Sequence, residues 1–146
     1  MAGIAIGISA MNRAAQDNSL DGQAQQINNL SVEILNLSKK SQAIDTAISK
    51  FDELDNKLIK TKKDAEAMTE ALDSAADSLS SDKDKNTKGL DLGDMSEQDY
   101  YKSLTTNRAR KEFLEDVSRR SKEQADAARR QQLQIAKNWR SRGGSD

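Results

Sequence analysis

The sequence has no cysteine, no histidine and no proline, and its only aromatic residues are two Phe, two Tyr and one Trp in 146. Each absence excludes something. Without cysteine there is no disulfide framework and no thiol chemistry, and the chain fits reducing and oxidising compartments equally. Without histidine the commonest proton-transfer group near neutral pH is missing. No G-x-S-x-G elbow and no G-x-x-x-x-G-K-[ST] phosphate loop occurs. The chain is therefore expected not to be an enzyme, and no catalytic residue, metal ligand or cofactor is assigned. At average usage of roughly 5%, about seven prolines would be expected. Proline lacks an N–H and clashes inside helices, so its absence favours long helices. Disordered chains are usually rich in proline, so the same absence argues against disorder.

Apolar residues make up only 35% of the chain and charged residues 32%. A chain this polar either stays disordered or buries a narrow stripe. Net charge is −1, but it is unevenly distributed. Residues 64–99 carry eleven acids and three bases, a net of −8, whereas residues 100–142 carry twelve bases and five acids, a net of +7.

The apolar pattern selects the stripe. Ile27, Leu30, Ile34, Leu37, Ser41, Ile44, Ile48, Phe51, Leu54, Leu58, Thr61, Ala65, Met68, Leu72, Ala75 and Leu79 follow one another at spacings of three and four. Such spacing is the seam of a coiled coil. Two consecutive threes at Ile48–Phe51–Leu54 form a stammer, which overwinds the supercoil locally. The pattern predicts one long helix over 19–80, beginning near Ser19 or Asp21. The tract 81–96, with two glycines and many Ser, Asp and Asn, reads as a polar linker. Ser96 and Asp99 have capping-box spacing, and Glu97 and Asp99 suit the positive end of a helix dipole. A second, charged helix is predicted over 97–142, with a flexible tail at 143–146. Its weaker apolar face includes Leu104, Leu114, Val117, Ala128, Ile135 and Trp139, the last as an anchor.

The expected fold is all-α: two long helices forming an antiparallel coiled-coil hairpin or an extended rod, with a short apolar helix within residues 1–18. If paired residue numbers sum to about 176, Leu72 faces Leu104 and Leu58 faces Val117. Asp64 and Glu66 then meet Arg110 and Lys111, Asp52 and Asp55 meet Arg120 and Lys122, and Asp45 meets Arg130. Exposed pairs contribute only tenths of a kcal/mol each, so they select register rather than provide stability.

The opening run, MAGIAIGISAM, lacks the basic flank of a secretory signal. It is also shorter than the roughly 20 apolar residues that span a bilayer. No other segment approaches a membrane span. This leaves a virion-associated, cytoplasmic or signal-independent exported location open. Ile4, Ile6, Ile8 and Met11 are expected to meet a neighbouring subunit or a membrane surface. Two further patterns are incomplete. Asp82-Lys83-Asp84-Lys85-Asn86 opens like a calcium loop but has Thr87 and Gly93 where Gly and Glu are required. The bases of the second helix lack interleaved aromatics apart from Trp139, so nucleic acid is not an expected partner.

In composition, GIAIGISAMNRAAQ followed by DGQAQQINNL is similar to the small internal or ejection proteins of short-tailed phages. The paired-helix style resembles the hairpin filament, tip and chaperone proteins of type III secretion. These resemblances imply a structural subunit of a virion, phage or secretion apparatus that binds itself or other helical proteins. The alternatives are a membrane-active or translocated protein using residues 1–15, and a helical chaperone or adaptor.

Overall fold

A computed structural model of the chain describes residues 20–139, and among these there is no strand. Four α-helices follow in order: α1 (Leu20–Asp55), α2 (Lys62–Ser78), α3 (Glu97–Ser103) and α4 (Asn107–Trp139). One 3-10 turn, Lys83–Lys85, lies between α2 and α3. The all-helical class expected from the missing prolines is what the chain adopts. The apolar segment 1–18, with Ile4, Ile6, Ile8 and Met11, and the tail 143–146 lie outside the described residues.

The helix expected over 19–80 is instead two helices. α1 closes with a Schellman pattern: Lys57 N–H donates to Leu54 O (3.0 Å) and Leu58 N–H donates to Glu53 O (2.7 Å). Lys57 takes the left-handed position (φ 59°) that glycine usually fills. A capping box then starts α2. Asp64 N–H donates to Thr61 Oγ1 (3.0 Å), and Thr61 N–H donates back to Asp64 Oδ2 (3.3 Å). Leu58 and Thr61, read as seam positions, therefore sit in a turn, and Leu58 is 54% exposed. The stammer precedes this break by one turn of helix.

The helix expected over 97–142 also divides. Ser96 caps α3 as its spacing predicts, accepting from Asp99 N–H (3.1 Å). The chain turns extended at Leu104 (φ −75°, ψ 134°). Thr106 Oγ1 then accepts from Ala109 N–H (3.1 Å) to open α4. A β-branched pair, Thr105–Thr106, is poor helix interior and good cap material, which explains the break.

The described chain forms two compact units. The central unit, Leu37–Glu123, contains a true core. Ile44, Ala47 and Phe51 of α1 meet Ala75 of α2, Tyr101 of α3, and Phe113, Leu114 and Val117 of α4. Leu79 and Leu92 of the interhelix segment complete it. The rings of Tyr100 and Phe113 lie 4.8 Å apart. The tract read as a polar linker thus contributes to the core. The second unit comprises residues 20–36 and 124–139 of the described chain. Here Leu30, Ala125 and Ala128 are buried, and the Gln132 amide donates to Ile27 O (2.9 Å) and Ser31 Oγ (2.7 Å).

Candidate functional site

The most distinctive chemistry of the central unit surrounds Glu97, whose side chain is fully buried. Its position follows from the cap beside it. Ser96 fixes the start of α3, which turns the next side chain inward between α1 and the 80–96 segment. One carboxylate oxygen, Oε1, accepts from Lys40 Nζ (2.6 Å) and Ser80 N–H (2.8 Å). The other, Oε2, accepts from Thr87 N–H (2.7 Å). Lys40 Nζ also donates to Thr87 Oγ1 (3.1 Å). Asn86 Oδ1 accepts the Glu97 backbone N–H (3.1 Å), while its amide donates to Met95 O (3.1 Å).

Burial alone pushes the Glu97 carboxyl up, because it disfavours the charged form. The Lys40 ammonium and the donors of Ser80 and Thr87 outweigh that, holding it below the usual Glu range. Both carboxylate oxygens are engaged, by three donors in all, so the group ties α1 and the 80–96 segment to the start of α3. Sequence reasoning placed Glu97 at a helix dipole and missed this role. Its partner Lys40 lies 57 residues away in the chain, so no local spacing announces the pair.

A second feature is an open groove of about 340 Å³ between α1 and α2. Ala43, Thr46 and Lys50 line one side, and Ala67, Glu70, Ala71 and Ser74 the other. Among the described residues no group of acidic side chains is arranged to hold a metal ion. In the failed calcium motif, Asp82 Oδ1 instead accepts Asp84 N–H (2.9 Å) to cap the 3-10 turn.

The charge ladder also differs from expectation. Asp45 Oδ2 pairs with Lys122 Nζ (2.8 Å), and Asp45 Oδ1 accepts from Ser118 Oγ. Lys111 meets Asp52 and Asp55, in place of Asp64 and Glu66. Within the central unit, Asp45–Ser118 and Asp52–Lys111 both sum to 163, not 176. The cause is the break at 56–61. It removes α2 from the line of α1, so its acids cannot continue the ladder. Buried Ile44 and Phe51, rather than exposed charges, then set the register. Several bases of α4 are neutralised along their own helix, as in Arg119 and Arg120 with Asp116, and Arg129 with Asp126.

Of the predicted seam, Leu30, Ile44, Phe51 and Leu79 are buried. Ile27, Ile34, Leu37, Ile48, Leu54, Met68 and Leu72 are half-buried, and Leu58 is exposed. On the second face Leu114, Val117 and Ala128 are buried, Leu104 and Ile135 half-buried, and Trp139 37% exposed. Sequence reasoning missed the exposed Val32 (53%), Leu35 (53%) and Leu133 (71%), which lie off the seam. Among the described residues no helix is long and apolar enough to cross a membrane. No protein-family model matches the chain, and no curated protein or solved structure matches it either.

Proposed function

We propose that this chain is a non-catalytic assembly subunit that works by helix–helix association, with further copies of itself as the first partner. In this reading α1 and α4 form an antiparallel pair, and the apolar faces left over meet other helices in a larger complex. The antiparallel pairing is supported by central-unit contacts that run in opposite directions along the two helices, Asp45 with Lys122 and Asp52 with Lys111.

One observation carries the reading. In the unit of residues 20–36 and 124–139, Val32, Leu35, Leu133 and Trp139 stay substantially exposed, while two of its buried residues are only Ala125 and Ala128. Large apolar side chains left exposed on so polar a chain are available for contact with other helices. Full burial of such a side chain contributes roughly 1.5–3 kcal/mol, so covering the exposed half contributes on the order of 1 kcal/mol each. Association itself costs about 4–15 kcal/mol. The gain from two copies is therefore modest, and the contact is a weak, concentration-dependent one that multivalent assembly would strengthen. The absence of histidine and cysteine and the structural engagement of both Glu97 oxygens support a role without catalysis.

Cysteine crosslinking tests this directly, because no native thiol interferes. Leu133→Cys is expected to form disulfide-linked dimers under mild oxidation, and Lys83→Cys, exposed on the 3-10 turn, is not. Equal crosslinking of both, or of neither, rejects the proposed surface.

A further inference from the structure

The two turns that break the predicted helices share a chemistry. Residues 56–63 contain Lys57, Lys60, Lys62 and Lys63, and residues 102–111 contain Lys102, Arg108, Arg110 and Lys111. Neither stretch contains an acid, although the whole chain is net −1. Both belong to the central unit, and Lys111 pairs with Asp52 and Asp55 at the end of α1, which brings the turns together. Two helices, α2 and α4, also start here, so their positive dipole ends add to the field.

Most of the nearby acids have partners, Glu53 with Lys50 among them, while Glu115 lies close enough to Lys111 to act on it without forming an ion pair. Asp52 and Asp55 face Lys111, and Glu112 pairs with Arg108 (3.2 Å). Asp64 accepts the backbone N–H groups of Lys60 and Thr61. Lys62 reaches Glu66 only at 4.0 Å. Among the described residues, Lys57, Lys60, Lys63, Lys102 and Arg110 have no carboxylate within ion-pair distance. At the tip of the first turn Leu58 is 54% exposed, flanked by Lys57 and Lys60.

We infer that this basic end of the central unit, with Leu58 at its tip, docks on an anionic phospholipid surface. Phosphate charge would suit either a lipid headgroup or a nucleic acid backbone. The exposed leucine decides between them, because it can enter the interfacial region between headgroups, whereas a duplex backbone offers it nothing. The rings at this end are engaged within the fold: Tyr101 is buried under Arg110, and half-buried Tyr100 packs on Phe113, so base stacking is disfavoured. The attraction acts within a Debye length of about 8 Å, so the local cluster matters more than the net charge.

The test is sedimentation of the full chain with phosphatidylcholine vesicles, with and without phosphatidylserine. Binding is expected only to the anionic vesicles, and it should weaken with salt. The triple variant Lys57→Asn, Lys60→Ser, Lys63→Ser keeps a residue tolerant of positive φ at 57. Each lysine contributes about fivefold to partitioning, so this variant should bind roughly 100-fold more weakly with an unchanged melting curve. Leu58→Cys carrying a polarity-sensitive dye should shift its emission to shorter wavelength on anionic vesicles. Equal binding to neutral vesicles, binding indifferent to the triple variant, an unmoved dye, or retention of duplex DNA without vesicle binding would each overturn the inference.

Discussion

Replacing Glu97 with Gln removes the charge that holds three partners while nearly preserving shape. The carboxylate is fully buried and takes hydrogen bonds from Lys40, Ser80 and Thr87. A Gln side chain keeps one acceptor and points an NH₂ group at a donor, so at least one buried backbone N–H or the ammonium loses its partner. Breaking a buried ion pair from one side costs about 3–5 kcal/mol. Lys40 keeps 16% side-chain exposure and can recover some hydration, which places the cost near the lower end, about 3 kcal/mol. For a chain of this length that lowers Tm by about 10 °C. The pH dependence has a definite sign. The folded-state carboxyl lies below its ordinary value of 4.5, so its stabilisation is complete above that value and is lost as pH falls through the lower, folded one. Glu97→Gln should therefore show a shallower loss of stability in acid than the parent. The double variant Lys40→Met with Glu97→Gln should cost less than the two single changes together. Urea unfolding followed by circular dichroism at several pH values measures all three. A Glu97→Gln variant within about 0.5 kcal/mol of the parent, with an unchanged acid profile, would refute the reasoning.

Three further substitutions probe the turns and the core. Lys57→Gly should stabilise by up to about 1 kcal/mol in urea unfolding, because a non-glycine residue at φ 59° carries the left-handed penalty. Gly89→Ala should cost about 1–3 kcal/mol by the same measurement, since φ is +92°, where an L side chain is strained, while the Arg120 guanidinium beside it ends a flexible side chain that can move aside. Ser121→Ala should leave stability unchanged or raise Tm slightly, by about 1 kcal/mol of stabilisation, because its hydroxyl is fully buried with no hydrogen-bond partner.

The helical class was legible because it rests on global facts: no proline and an apolar stripe of regular spacing. The Ser96 cap was legible because capping is local chemistry. The break after Asp55 was not, since Lys57 occupies a position where glycine would have advertised the turn. Thr61 and Asp64 did carry a signal, the same three-residue spacing as Ser96 and Asp99, but the stripe running through Thr61 concealed it. The 81–96 tract looked like solvent-facing linker by composition. Its order comes from Glu97 and Lys40, a long-range pair that no window of sequence reveals. Register failed for a related reason. Exposed charges on two highly charged helices match in many alignments, whereas Phe51, Leu114 and Val117 fit a core in only one.

The central claim is that exposed apolar side chains on residues 20–36 and 124–139 bring copies of the chain together. Sedimentation equilibrium of the intact protein, from roughly 1 µM to 1 mM, spans the affinity expected of so small a gain. The account predicts a mass that rises with concentration, and a constant monomer mass for the double variant Leu35→Asp, Leu133→Asp with its helix content retained. A parent that stays monomeric across that range, or a variant that associates as the parent does, would contradict it.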